Sequence, residues 1–272
     1  MRPPTGKLEK VLVFGRSNSG KSSVWSAIAE WTADTGGGKI YLGDTDQAWD
    51  AMQSDNVLEV VVPTYISDYM SAVEWARGLR KEVEKEDWVV FDMADRSWVW
   101  SQEHYWNAVS DTDDMLLGDV YARDQLARKK AEVLKAGGKW EGDEGESMAG
   151  SHGSNWGVIY KYYHGLINTL LNLPCHKLFV AGAREIRSDT KPAIVNQYKG
   201  CGFYPAGPPN ENELAHNFHT VLFCAETPRD WIYTSIRERG PIRQPSRRMM
   251  KGEHVEDFVT TYLFGVAGWK IA

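Results

Sequence analysis

Gly15-Arg16-Ser17-Asn18-Ser19-Gly20-Lys21-Ser22 fits the phosphate-loop pattern G-x-x-x-x-G-K-[ST] at every fixed position. Its flanks fit as well. Residues 10–14, Lys-Val-Leu-Val-Phe, are a short apolar run of the kind buried as a strand. Residues 20–33 carry Val24, Ile28 and Trp31 at helical spacing, and three glycines at 36–38 stop that helix. A strand, a glycine-rich turn and a helix in this order aim backbone N–H groups inward, with the helix's positive end behind them. The binding set is then Gly15, Arg16, Ser17, Asn18, Ser19, Gly20, Lys21, Ser22 and Ser23, and the expected ligand is ATP. Lys21 is expected to neutralise the β- and γ-phosphates, and the Ser22 hydroxyl to ligate Mg²⁺.

Such a loop calls for a second element, an apolar strand ending in an acid. Trp88-Val89-Val90-Phe91-Asp92 supplies it, so Asp92 is the second Mg²⁺ residue, with Asp95 as a rival three positions on. Further strands are expected at 39–43, 57–62 (closed by Pro63) and 177–183, and a hairpin at 219–224 and 231–236. Helices are expected at 67–84, 102–135, 158–171 and 254–264. Alternating strands and helices imply one α/β domain over residues 1–272: a mainly parallel, doubly wound sheet with helices on both faces and a C-terminal antiparallel extension. Residues 136–157, rich in Gly, Glu, Asp and Ser, read as a flexible loop, and 188–213 as a long Pro/Gly/Asn-rich loop.

Composition narrows the function. The net charge of −6 excludes a bulk polycation, so any nucleic-acid contact must come from a local basic patch. No apolar run is long enough for a membrane span and residues 1–7 lack an apolar signal core, which makes the cytoplasm the expected compartment and a membrane partner unexpected. Cys175, Cys201 and Cys224 are far apart and form neither a zinc motif nor a disulfide framework. His216 and His219 have no cysteine ligand near them and read as structural. The chain holds 12 Trp, which must be core, interface or base-stacking surface, and Trp25 and Trp31 have the spacing of a packed helix face.

Hydrolysis needs a carboxylate that orients water. The stretch Tyr41-Leu42-Gly43-Asp44-Thr45-Asp46 offers one at a strand end. Here the chain resembles the core of RecA-type recombinases, and the resemblance runs in order to about residue 240. It implies that Asp46 holds the catalytic position, where the family usually has Glu, with Asp44 as the alternative carrier. It implies that the strand 177–183 leads to a γ-phosphate sensor at Glu185, where the family has Gln, with Arg184 beside it. It makes 188–213 the candidate DNA-contacting loop, with Arg187 just before it. There Arg187, Lys191 and Lys199 would track phosphates and Tyr198, Phe203 and Tyr204 would stack on bases of single-stranded DNA. It also gives Arg237 and Arg239 the role of basic residues reaching a neighbouring subunit's γ-phosphate, and hence implies self-association as filament or ring.

A bare core of this size is similar to bacteriophage RecA-like recombination ATPases of the single-strand-annealing type, whose partners are phage replication or recombination proteins. Two other readings use the same loop. One is a DNA-packaging or translocating motor, and the other a small-molecule kinase with a lid at 123–157. A basic stretch at Arg229, Arg243, Arg247, Arg248 and Lys251 reads as a solvated face or a DNA-approach patch. The acidic run 141–146 would repel DNA.

Overall fold

The apolar runs become strands because nearly every side chain on them is buried, on both faces of one sheet. The structure is a computed structural model that describes residues 7–54, 57–110, 127–140, 152–208, 213–238 and 252–270. In chain order the strands are β1 Lys10–Gly15, β2 Ile40–Asp44, β3 Val61–Tyr65, β4 Trp88–Phe91, β5 His176–Glu185, β6 Phe203–Pro205, β7 Thr220–Glu226, β8 Trp231–Glu238 and β9 Glu253–His254. The helices are α1 Ser23–Thr35, α2 Ala48–Met52, α3 Tyr69–Glu82, α4 Arg96–Ser110, α5 His152–Leu171, α6 Pro192–Tyr198 and α7 Glu213–His216, with a further helical segment at 127–135.

The strand order is β3-β2-β4-β5-β1-β7-β8-β9, and β6 pairs with β5 off this path. β1 to β5 and β7 run parallel, whereas β6, β8 and β9 are antiparallel to their neighbours. This is the doubly wound sheet with a C-terminal antiparallel extension that the strand–helix alternation implies. Successive β1 residues serve opposite faces. Leu12 and Phe14 pack with Trp75 and Leu79 of α3, Trp98 of α4 and Tyr163 and Leu166 of α5. Val11 and Val13 pack with Val24, Trp25 and Ile28 of α1 and with Phe258, Tyr262 and Trp269 near the C-terminus. Seven of the twelve tryptophans are buried, six of them in these two layers, so core packing explains most of the excess.

Several boundaries differ from expectation for identifiable reasons. Pro63 lies inside β3 and does not close it. β3 is an edge strand, and Ile66 donates its N–H to Asp44 O. By alternation Thr64 and Val62 also face β2, so the missing Pro63 donor faces outward, where a proline costs no ladder bond and blunts the edge. The helix α3 starts at Tyr69 because Asp68 and Ser71 form a reciprocal capping box. The loop 188–213 is not featureless, since α6 begins on Pro192 and β6 follows. The expected helix at 254–264 is a two-residue strand followed by the π-helix Val259–Phe264. Within the loop expected at 136–157, residues 141–151 lie outside the described residues, and α5 already runs from His152.

At the amino edge of the sheet, His176 is fully buried between Trp88 (4.9 Å) and Trp269 (4.7 Å), and its Nδ1 accepts the Glu9 N–H at 3.0 Å. Burial, with the Lys177 charge adding to it, pushes its pKa down to about 3. The unfolded chain therefore binds this proton more readily than the native state. The contribution of neutral His176 is complete above the unfolded value of 6.5 and is lost as pH falls from there toward 3. This one group is expected to cost up to about 1.4 kcal/mol of stability per pH unit in that window. The urea midpoint of the wild type should fall between pH 7 and pH 5, and His176→Gln should flatten the difference.

Candidate nucleotide site

β1 ends at Gly15, where a side chain has no room: an added Cβ would sit 2.3 Å from Ser19 Oγ and 2.5 Å from Cys224 O. Gly20 combines φ +75° with the same crowding, because its Cβ would lie 2.6 Å from Trp231 Cβ and Cγ. Between them Asn18 takes the left-handed conformation at φ 59°. The loop closes on itself. Ser19 Oγ donates to Arg16 O at 2.8 Å and Lys21 Nζ donates to the same carbonyl at 2.6 Å. Among the described residues no acceptor faces the N–H groups of Gly20, Lys21, Ser22 or Ser23. Four donors at the start of α1 are thereby left for an anion.

The Ser22 side chain does not cap α1. Its hydroxyl donates to Asp92 Oδ2 at 2.8 Å, and Trp25 Nε1 donates to that same oxygen at 2.9 Å. Asp92 is fully buried, and its other oxygen, Oδ1, has no hydrogen-bond partner. Burial pushes its pKa up to about 6, although the Trp25 and Ser22 hydrogen bonds pull the other way. An orphaned carboxylate oxygen beside a hydroxyl is a hard-oxygen donor set of the kind Mg²⁺ takes, together with phosphate oxygens and water. Ser22 and Asp92 therefore fit a divalent cation. Met93, next in sequence, holds φ 59°, a strained conformation at the turn that leaves the strand.

The Lys21 ammonium is buried. Desolvation lowers its pKa, and the carboxylates of Asp92, Asp95 and Asp46 oppose that shift, so all three acids are arranged around it. The two candidates on the β2 end separate clearly. Asp44 is buried and accepts the N–H groups of Asp46 (3.3 Å), Ala48 (3.2 Å) and Trp49 (3.0 Å), which commits its carboxylate to holding α2. Asp46 is exposed, and its carboxyl is pushed up by partial desolvation and by Asp44 beside it. Asp95 is committed as well: its Oδ1 accepts the Gly182 N–H at 3.0 Å, which ties the β4 end to β5.

Other expected residues fall elsewhere. Glu185 is exposed at the outer end of β5, three residues past Gly182, which is in register with Gly15. That is ~10 Å of strand beyond the loop's first residue. The β8 register pairs Arg237 with Val221, and Val221 with Val11, so the Arg237 backbone lies at the amino edge, away from its own loop. Arg239 lies outside the described residues. Tyr198 is not a stacking residue on the surface. It is fully buried, edge-on to Phe14 at 5.7 Å, because Ile194 and Tyr198 form the inward face of α6. Phe203 and Tyr204 are half-buried on β6, while Arg187, Lys191 and Lys199 line the same segment nearer the solvent.

Three features were not legible as site residues. Trp25 hydrogen-bonds the acid that its helix packs against. The Arg16 guanidinium lies 5.8 Å from the Phe203 ring centroid, and Phe203 stacks on Phe223 at 5.7 Å, so the phosphate loop touches the candidate DNA loop directly. Trp231 donates its Nε1–H to Asn18 O at 3.0 Å. All three contacts join segments far apart in sequence, and no spacing rule announces them.

The chain is similar to a solved ATPase domain, that of a phage replicative helicase, with a TM-score of 0.40 and 10% identity, covering 85% of this chain and 78% of that one. No family model and no curated protein matches the chain. No helix of the described residues is long and apolar enough to cross a membrane.

Proposed function

We propose that this protein is a Mg²⁺-dependent RecA-like ATPase that acts on single-stranded DNA as an oligomer, in phage-type replication or recombination. The observation that carries the ATPase reading is the Ser22–Asp92 contact, with Asp92 Oδ1 unpartnered and the Asp92 charge acting on Lys21 of the loop. Mg²⁺, when bound, would offset phosphate charge and align the triphosphate. The chain's own groups do the rest. The open N–H groups at the start of α1 hold the phosphates, and Lys21 leaves the Arg16 carbonyl to pair with them. Asp46, whose carboxylate is not committed to the backbone as that of Asp44 is, orients the attacking water. Arg237 and Arg239 serve a neighbouring subunit's triphosphate, a role that suits the position of Arg237 at the amino edge. Glu185 reaches a sensor position only if the β5 end closes on the loop.

The DNA half of the proposal rests on Arg187, Lys191 and Lys199, which sit on a segment joined to the phosphate loop through Phe203 and Arg16. ATP turnover measured with and without a single-stranded oligonucleotide, at low and moderate salt, tests it. Stimulation that weakens steeply with salt is expected, because a few cations on an acidic chain carry the binding. Absence of both stimulation and binding at low salt would remove DNA from the account. The Arg16–Phe203 contact adds a narrower expectation. Phe203→Ala should reduce the DNA-stimulated rate more than the basal rate, read as the ratio of the two.

A further inference from the structure

Of the twelve tryptophans, Trp231 is the exposed one, at 40% relative exposure; the other eleven are buried or half-buried. A large, freely solvated indole is unfavourable, and this one is not free to find cover elsewhere. Asp230 Oδ1 accepts its backbone N–H at 2.7 Å, Val255 donates to its carbonyl at 3.0 Å, and its Nε1–H goes to Asn18 O at 3.0 Å. The Asp230 carboxylate that starts this chain of contacts is itself paired with His254 Nδ1. The ring's inner side rests on the phosphate loop, where Gly20 is required because any Cβ would strike Trp231. Of the six exposed large apolar side chains among the described residues, it is the one in contact with that loop.

A fixed aromatic surface beside a triphosphate cradle, anchored to the cradle and open to solvent, is suited to a flat π-system. We propose that Trp231 is the platform on which the nucleobase of the bound nucleotide stacks, which rests on the reading of residues 15–23 as a triphosphate site. The loop's N–H groups face the phosphates, and the Asn18 carbonyl points outward to the indole. The ring therefore stands on the rim over which the nucleoside end can leave the loop. Stacking on an indole is strong and tolerant of base identity, because every base presents a π-face. The ligand class is thus a purine nucleoside triphosphate with little discrimination between adenine and guanine at this contact.

Calorimetric titration with Mg-ATP, Mg-GTP and base-free tripolyphosphate tests the proposal on the wild type, Trp231→Ala, Trp231→Phe and Lys21→Ala. Trp231→Ala should weaken Mg-ATP and Mg-GTP about tenfold and leave tripolyphosphate unchanged. Trp231→Phe keeps a ring but loses the Nε1–H bond, and should recover most of the loss. Equal weakening of tripolyphosphate and ATP by Trp231→Ala would overturn the proposal, because the ring would then only shape the loop. Unchanged ATP affinity in Trp231→Ala would overturn it too, and would leave the exposed ring for contact with a second copy of the chain. Failure of the underlying site reads differently: the wild type would bind neither ATP nor tripolyphosphate, or Lys21→Ala would bind both as the wild type does.

Discussion

Asp92→Asn should abolish Mg²⁺-dependent ATP turnover and at the same time raise the melting temperature of the nucleotide-free protein. Both effects have one cause. Asp92 is fully buried with one oxygen unpartnered, and its pKa of about 6 lies above the ordinary value of 3.8. A carboxyl whose folded pKa is raised contributes stability below the unfolded value, and that contribution is lost as pH rises through the folded one. The window runs from 3.8 to about 6, so above it the native state bears the full cost of the ionised form. Two pH units correspond to about 3 kcal/mol, an upper figure for a buried group. Asn retains an oxygen for the Ser22 and Trp25 donors at nearly the same volume and carries no charge. The nucleotide-free protein should therefore melt several degrees higher, on the order of 2 °C per kcal/mol for a chain of this size. The same change removes the anionic oxygen that fits a cation. Scanning calorimetry at pH 7.5 and a phosphate-release assay check the two halves together. A destabilised variant, or a stabilised one with normal turnover, would contradict the placement of Asp92.

Asp46→Asn should lower turnover by about 10²–10⁴-fold while ATP binding stays near wild type. Asp46 is exposed at the β2 end, within electrostatic reach of Lys21, and its neighbour Asp44 is spent on three backbone N–H groups. The two acids should therefore fail differently. Asp44→Asn should destabilise the segment from Asp46 to Trp49, with a lower melting temperature and a modest rate loss. Asp46→Asn should leave the melting temperature nearly unchanged. Single-turnover hydrolysis beside equilibrium ATP binding separates these outcomes. A large rate loss in Asp44→Asn with a small one in Asp46→Asn would reassign the water-orienting role.

How much of this is legible in the sequence varies with the range of the interaction. The phosphate loop and Asp92 are local patterns whose flanks have the right periodicity, so strand, turn and helix fall within a few residues of expectation. The parallel order also follows from alternation. What strand composition does not supply is register. Arg237 looks paired with Arg239 on one strand face, yet only the antiparallel pairing of β8 with β7, and a bulge between Val221 and Leu222, reveal that Arg237 lies at the amino edge. Tyr198 reads as a surface aromatic among cations as long as its segment is taken for a loop, and the helix α6 turns that residue into the core. Trp231 reads in sequence as the first residue of a strand, and its contact with Asn18 spans 213 positions. In each case the missing information is a long-range contact, which residue type and spacing do not encode.

ATP hydrolysis by the wild type and by Lys21→Ala, each with Mg²⁺ and with chelator in the presence of single-stranded DNA, tests the phosphate-loop assignment most directly. Turnover is expected for the wild type with Mg²⁺, and background in the other three conditions. Equal turnover in Lys21→Ala, or none in the wild type, would contradict it.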